Sequence, residues 1–107
     1  MPRILVPLLM AAAVATAAPA GATSLSGAYL AATQADIRDD YAEAALYYEQ
    51  VLALDPANAG VLTNALVAHV ALGDFAAARL LADRLEAESP GNQVATLVRL
   101  GDILAAG

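Results

Sequence analysis

The sequence predicts an all-α protein: antiparallel helical hairpins stacked as a short α-solenoid, two repeats plus one extra helix, behind an N-terminal signal peptide. Three observations carry that prediction. The first is an internal period of 34 residues: DYAEAALYYEQVLALDP from Asp40 to Pro56 recurs as DFAAARLLADRLEAESP from Asp74 to Pro90. Asp40 matches Asp74, Tyr41 matches Phe75, Ala44 matches Ala78 and Leu46 matches Leu80. A period in this range marks stacked helical hairpins. The second is composition: hydrophobic residues reach 60% while aromatics are 5%, so the core must come from closely approaching backbones rather than from large rings. The third is the shortness of the connections. Only Asp39-Asp40 or Gly73-Asp74 separates the members of a pair, which forces the two helices to lie antiparallel and adjacent.

The leading segment, Met1 to Ala22, has a basic start at Arg3, an apolar run from Ile4 to about Ala18, and Pro19 ahead of small residues. This is the anatomy of a secretory signal peptide. Ala20-Gly21-Ala22 supplies the small-x-small pattern for cleavage after Ala22, leaving a domain from residue 23 to 107. The run is shorter than the roughly twenty residues needed to span a bilayer and is interrupted by Pro7, so no stable membrane span is expected after cleavage. The expected destination is secretion, to the periplasm in a diderm host.

Five amphipathic segments follow. Segment one, about Ser26 to Arg38, has Ser24 or Ser26 as its N-cap. Segment two begins at Asp40, whose carboxylate can accept from the Glu43 amide while Glu43 reaches back, a capping box. Its apolar positions Tyr41, Ala44, Ala45, Tyr48, Val51 and Leu52 share one helix face, and Asp55-Pro56 ends it because proline cannot donate an amide. Segment three, about Gly60 to Leu72, is nearly all apolar and suits a helix packed on several sides. Gly73 can take positive φ as terminator and Asp74 caps segment four, which runs to about Glu88 with Arg79–Asp83 and Arg84–Glu88 as four-apart ion pairs. Ser89-Pro90-Gly91-Asn92 turns the chain into segment five, Gln93 to about Ala105. Alanines 31, 44, 65 and 78 fall where a partner helix would pass.

Charge and residue content exclude several function classes. The chain has no lysine, five arginines and eleven acids, net −6, or −7 once Arg3 is removed. Duplex nucleic acid and anionic lipid are bound mainly through cations, so neither is an expected partner. The absence of cysteine removes disulfides, thiol nucleophiles and zinc–thiolate sites. His69 is the single histidine and sits in the apolar stretch VAHVAL, as a packed structural side chain does; a catalytic base needs positioned partners. Asp36, Asp39, Asp40 and Glu43 gather around the first turn without the spacing or glycine of a calcium loop. No phosphate-cradling glycine loop or nucleophile elbow is present. Neither catalysis, nor a cofactor, nor a metal is expected.

With small residues near the eighth and twentieth places of the 34-residue unit, a bulky one near the twenty-fourth and proline at the thirty-second, the chain resembles the tetratricopeptide repeat (TPR) family. Counted back from the prolines, repeat one spans 25–58 and carries Ala32, Tyr41, Ala44, Tyr48, Val51 and Pro56 at signature places. Repeat two spans 59–92 and carries Leu62, Ala65, Leu66, Gly73, Phe75, Ala78, Leu85 and Pro90. Residues 93–107 match the first helix of a third repeat, as a half repeat or capping helix. Four departures stand out: Asp39 for the usual turn glycine, Ala28 for an aromatic, Leu66 for a small residue and Ala82 for a bulky one.

The resemblance implies a concave groove lined by the first helix of each repeat, with Tyr29, Thr33, Asn64, Val67 and Leu97 as its expected protein contacts. It also implies a non-catalytic protein–protein interaction scaffold or adaptor. The lysine- and arginine-rich clamp that holds a peptide's terminal carboxylate in this family is missing here apart from Asn64, so the groove suits an apolar partner segment read by area. About three repeats are usually needed for a stable array, and Leu97, Val98, Leu100, Ile103 and Leu104 make segment five more apolar than an outward cap. A homodimer through this helix, a docked partner, or a truncated longer array would each cover it. An accessory subunit of an envelope enzyme or secretion complex is a further alternative.

Overall fold

The computed structural model describes residues 24–107, and the segment expected to be a signal peptide, 1–22, lies outside the described residues. Five α-helices make up the described chain: α1 (Leu25–Ile37), α2 (Tyr41–Leu54), α3 (Ala59–Ala71), α4 (Phe75–Glu88) and α5 (Gln93–Ala106). Each packs on its neighbour in sequence, α1 on α2, α2 on α3, α3 on α4 and α4 on α5. The boundaries fall within a residue or so of those read from the sequence.

Each start is set the same way. Ser24, Asp40, Asn58, Asp74 and Asn92 are the five N-caps, each side chain accepting from the amide three residues on, at 2.9 to 3.2 Å. This satisfies one of the amides a helix leaves unpaired at its start, worth about 1 kcal/mol per cap. The reciprocal half of the expected capping box does not form. Glu43 instead meets Arg38 at 3.2 Å, because the tight α1–α2 turn brings a guanidinium within reach and charge attraction outweighs a bond to one neutral amide.

The two tight turns share one hydrogen-bond pattern. Asp40 N–H donates to Ala35 C=O at 2.9 Å and Asp39 N–H to Asp36 C=O at 3.0 Å; Asp74 N–H donates to His69 C=O at 2.9 Å and Gly73 N–H to Val70 C=O at 3.0 Å. This is a Schellman termination, which requires a left-handed residue just past the helix. Gly73 supplies it with φ 76°, and Asp39 adopts φ 57° in its place.

Eighteen apolar side chains and His69 are buried. Ala44, Ala65 and Ala78 are fully enclosed, as expected at close helix approaches. Ala31 is not: it is half-buried, and Ala28, Ala32 and Ala35 carry the buried face of α1, because α1 ends the stack and packs on α2, whereas Ala65, one period on, lies in a helix packed on both α2 and α4. Two of the departures from the repeat pattern compensate one another. Repeat one joins small Ala32 to large Tyr48, repeat two joins large Leu66 to small Ala82, and all four lie in one buried cluster. A core held near crystalline density tolerates a swap of volume between facing helices better than a change in their sum.

Ion pairs follow the fold more than the helix period. Arg79 meets Asp83 at 3.6 Å as expected, and it also bonds Asp102 of α5. Arg99 meets Asp83 at 3.4 Å. Arg84 does not pair with Glu88; its guanidinium donates to Pro56 C=O at 3.3 Å, since the α2–α3 connection passes beside it and offers an acceptor across the stack. These exposed pairs contribute little individually, but those from Arg79 and Arg99 tie α5 to α4.

Candidate protein-binding face

The first helices of the successive pairs, α1, α3 and α5, carry two concavities. One, of about 410 Å³, is lined by Leu25, Ser26, Tyr29, Leu30 and Thr33 of α1 with Val51 and Asn58. The other, of about 430 Å³, is bounded by Val70 of α3, Phe75 of α4, and Leu97, Val98, Gly101, Asp102 and Ala105 of α5. Its lining is almost wholly apolar. Tyr29 and Thr33 thus share the first concavity and Leu97 lies in the second. Val67 is exposed on α3 and Asn64 is half-buried one turn before it.

Between helices α1, α2 and α3 lies a polar centre built on Tyr48. Its ring is buried, and its hydroxyl donates to Asp36 Oδ2 at 3.0 Å. Burial first, and then the Asp36 carboxylate, push the phenol up to about 12; Tyr29 also raises it, while Asn64 beside the hydroxyl acts the other way. Two of the expected contact residues, Tyr29 and Asn64, thus both act on the same hydroxyl although 35 positions apart in sequence. At the turn, Tyr41 donates to Asp39 Oδ1 at 3.1 Å, and that carboxylate raises its phenol above the ordinary value.

Hydroxyl groups on this face are partly spent. Thr33 donates to Leu30 C=O at 3.0 Å and Thr63 to Ala59 C=O at 2.9 Å. Asp36 and Phe75 are the residues that sequence reasoning underused. The signal for Asp36 was a lone acid in the last turn of an otherwise uncharged helix, facing the tyrosine on the core side of α2. For Phe75 it was an aromatic repeated one period after Tyr41, at the first residue of a second helix.

A tetratricopeptide repeat model matches residues 37–100, well over half of the chain. The chain belongs to the tetratricopeptide repeat family. Repeats of this family generally mediate protein–protein interaction, and the family is typically non-catalytic. No curated protein matches the chain. The matched span covers α2, α3, α4 and half of α5; α1 precedes it and completes the first antiparallel pair. No helix among the described residues is long and apolar enough to cross a membrane. Among those residues, too, no group of three or more His, Asp and Glu could hold a metal ion. His69 is buried with Nδ1 3.6 Å from Asp74 Oδ2 and Nε2 4.0 Å from Glu49 Oε2. The fold thus brings it two carboxylates, one five residues on across the turn and one from α2, both beyond hydrogen-bonding reach.

Proposed function

We propose that this protein is a non-catalytic scaffold or adaptor, exported to the cell envelope, that holds a protein partner on the face formed by α1, α3 and α5. The supporting observation is exposed apolar surface concentrated there: Tyr29, Leu30, Val67, Val70 and Leu97 all remain open to solvent. A surface of this kind on a folded domain marks an interaction site. Tyr29, Thr33, Asn64, Val67 and Leu97 are the proposed contacts, and export rests on the signal-peptide pattern of Met1–Ala22. A photo-crosslinking amino acid placed at Tyr29 or Val67 of the full chain in its host should trap one discrete protein. The same probe at Leu80, exposed on α4, should trap none. Crosslinking equal at all three positions would remove the face from the reading, and recovery of the uncleaved chain in the cytosol would remove the export.

Self-association is a second reading, favoured by α5. Only Ala95 of that helix is buried, while Leu97, Leu100, Ile103 and Leu104 are half to two-thirds open or more. Pairing of two copies through this helix would give a sedimenting dimer that Leu100→Glu dissociates. A monomer at all concentrations would leave α5 to the partner.

A further inference from the structure

The proposed docking face also has an electrostatic character that names the chemistry of its occupant. Every arginine of the described chain is held by groups within the molecule: Arg38 by Glu43, Arg79 by Asp83 and Asp102, Arg99 by Asp83, and Arg84 by the Pro56 carbonyl. The two acids at the face differ in what they meet. Asp102, at the edge of the α5 concavity, is neutralised by Arg79. Asp36 meets only the neutral Tyr48 hydroxyl, through Oδ2. It also sits in the last turn of α1, at the negative end of the helix dipole, with Asp39 and Asp40 just beyond. The face is thus apolar along α3 and α5 and carries one uncompensated anion at the end of α1.

Backbone chemistry selects the shape of the occupant. An extended segment brings amides and carbonyls that must find partners. The described residues contain no strand edge to supply them, and the Thr33 and Thr63 hydroxyls give their protons to their own helices, leaving few donors for the carbonyls of an extended chain. A helix satisfies its own backbone and offers an apolar stripe to such a surface. We infer that the face binds an amphipathic helix whose apolar stripe lies along Val67, Val70 and Leu97 and whose lysine or arginine pairs with Asp36. This rests on the docking reading above and adds to it the charge and backbone state of the partner. Asn64, which acts on the same Tyr48 hydroxyl, would lie beside the cation.

The test uses the full chain and three fluorescent helical peptides that share one leucine stripe and differ only in each terminal turn, which carries lysine, glutamine or glutamate. The lysine peptide should bind about tenfold more tightly than the glutamine one, because only lysine adds attraction between two full charges, and the glutamate peptide more weakly still. Asp36→Asn keeps an acceptor for Tyr48 and should abolish the lysine preference, weakening the lysine peptide more than the glutamine one; Asp55→Asn, at the far end of α2, should keep the preference. Equal binding of the three peptides, all weakened by Val67→Arg, would overturn the charge assignment and leave docking intact. Binding that Val67→Arg does not weaken, or no binding of any peptide, would overturn both.

Discussion

Repeat one and repeat two reach almost the same backbone by opposite distributions of volume. Their second-helix caps, Asp40 and Asp74, have φ/ψ of −89°/78° and −89°/76°, and the residues closing those helices, Asp55 and Ser89, have −142°/72° and −141°/77°. Yet α1 buries Ala28, Ala32 and Ala35, where α3 at the same three places buries Leu62, Leu66 and His69. On the second helices the difference runs the other way at one place, Tyr48 in α2 against Ala82 in α4. Backbone geometry here depends on caps, turn bonds and combined volume, not on which helix supplies the large side chain. One consequence is chemical. Only repeat one has a phenol in its core, so only there does a hydroxyl reach an acid on the first helix; the matching pair in repeat two is Ala82 and Val70, which make no such bond.

Removing the large member of repeat one is the severest way to break that equivalence. Tyr48→Ala should cost about 3–5 kcal/mol, as a buried aromatic does when truncated, and be read in a denaturant melt. In repeat two the complementary experiment is the pair Leu66→Ala with Ala82→Tyr, which rebuilds the arrangement of repeat one. Each single variant should destabilise by about 2 kcal/mol or more. The double variant should fall short of the sum by about 1 kcal/mol, because neighbours that exchange volume couple. Strict additivity would mean that the two residues do not share space.

Ala44→Trp and Ala78→Trp probe what the repeats have in common. Both alanines are fully enclosed, so each substitution should overpack a helix crossing at a cost of about 1–3 kcal/mol. Similar losses in thermal melts would mark the two crossings as equivalent.

High pH should separate the repeats again. The Tyr48 phenol titrates near 12 in the folded chain against an ordinary 10, so folding favours its protonated form. Its contribution is complete below pH 10 and is lost as pH rises through about 12, on the order of 2 kcal/mol in all. Tyr48→Phe should remove most of this alkaline loss, at a neutral-pH cost of about 1 kcal/mol for the hydrogen bond. Alkaline melts of the two proteins that superimpose would exclude Tyr48 as the source.

The smallest effects belong to the turns. Asp39 holds a left-handed φ of 57° where the second turn has glycine, so Asp39→Gly should stabilise by a few tenths to about 1 kcal/mol, less the loss of its bond from Tyr41. A Cβ at Gly73 would meet nothing within 4 Å, so Gly73→Ala should cost only the backbone strain, about 1 kcal/mol.

The sequence by itself determined the helices, their order and their antiparallel pairing. These are local matters: an acceptor three residues before a free amide, a proline that cannot donate, a two-residue turn that leaves no other geometry. It also flagged Asp39 as standing where a glycine is usual, and the structure gives that place the left-handed backbone. Tertiary structure alone decided what depends on rotation and reach between helices. That Ala31 stays half-buried while Ala65, one period on, is enclosed turns on which helix ends the stack, since α1 packs on α2 and α3 on both α2 and α4. Glu43 and Arg84 found partners other than those their spacing suggested, because a long side chain takes whichever charge or carbonyl the neighbouring chain places nearest. The meeting of Asp36, Tyr48, Tyr29 and Asn64 has the same cause. Groups on three helices come within range of one hydroxyl only once packing fixes the distances, and no period in the sequence records those distances.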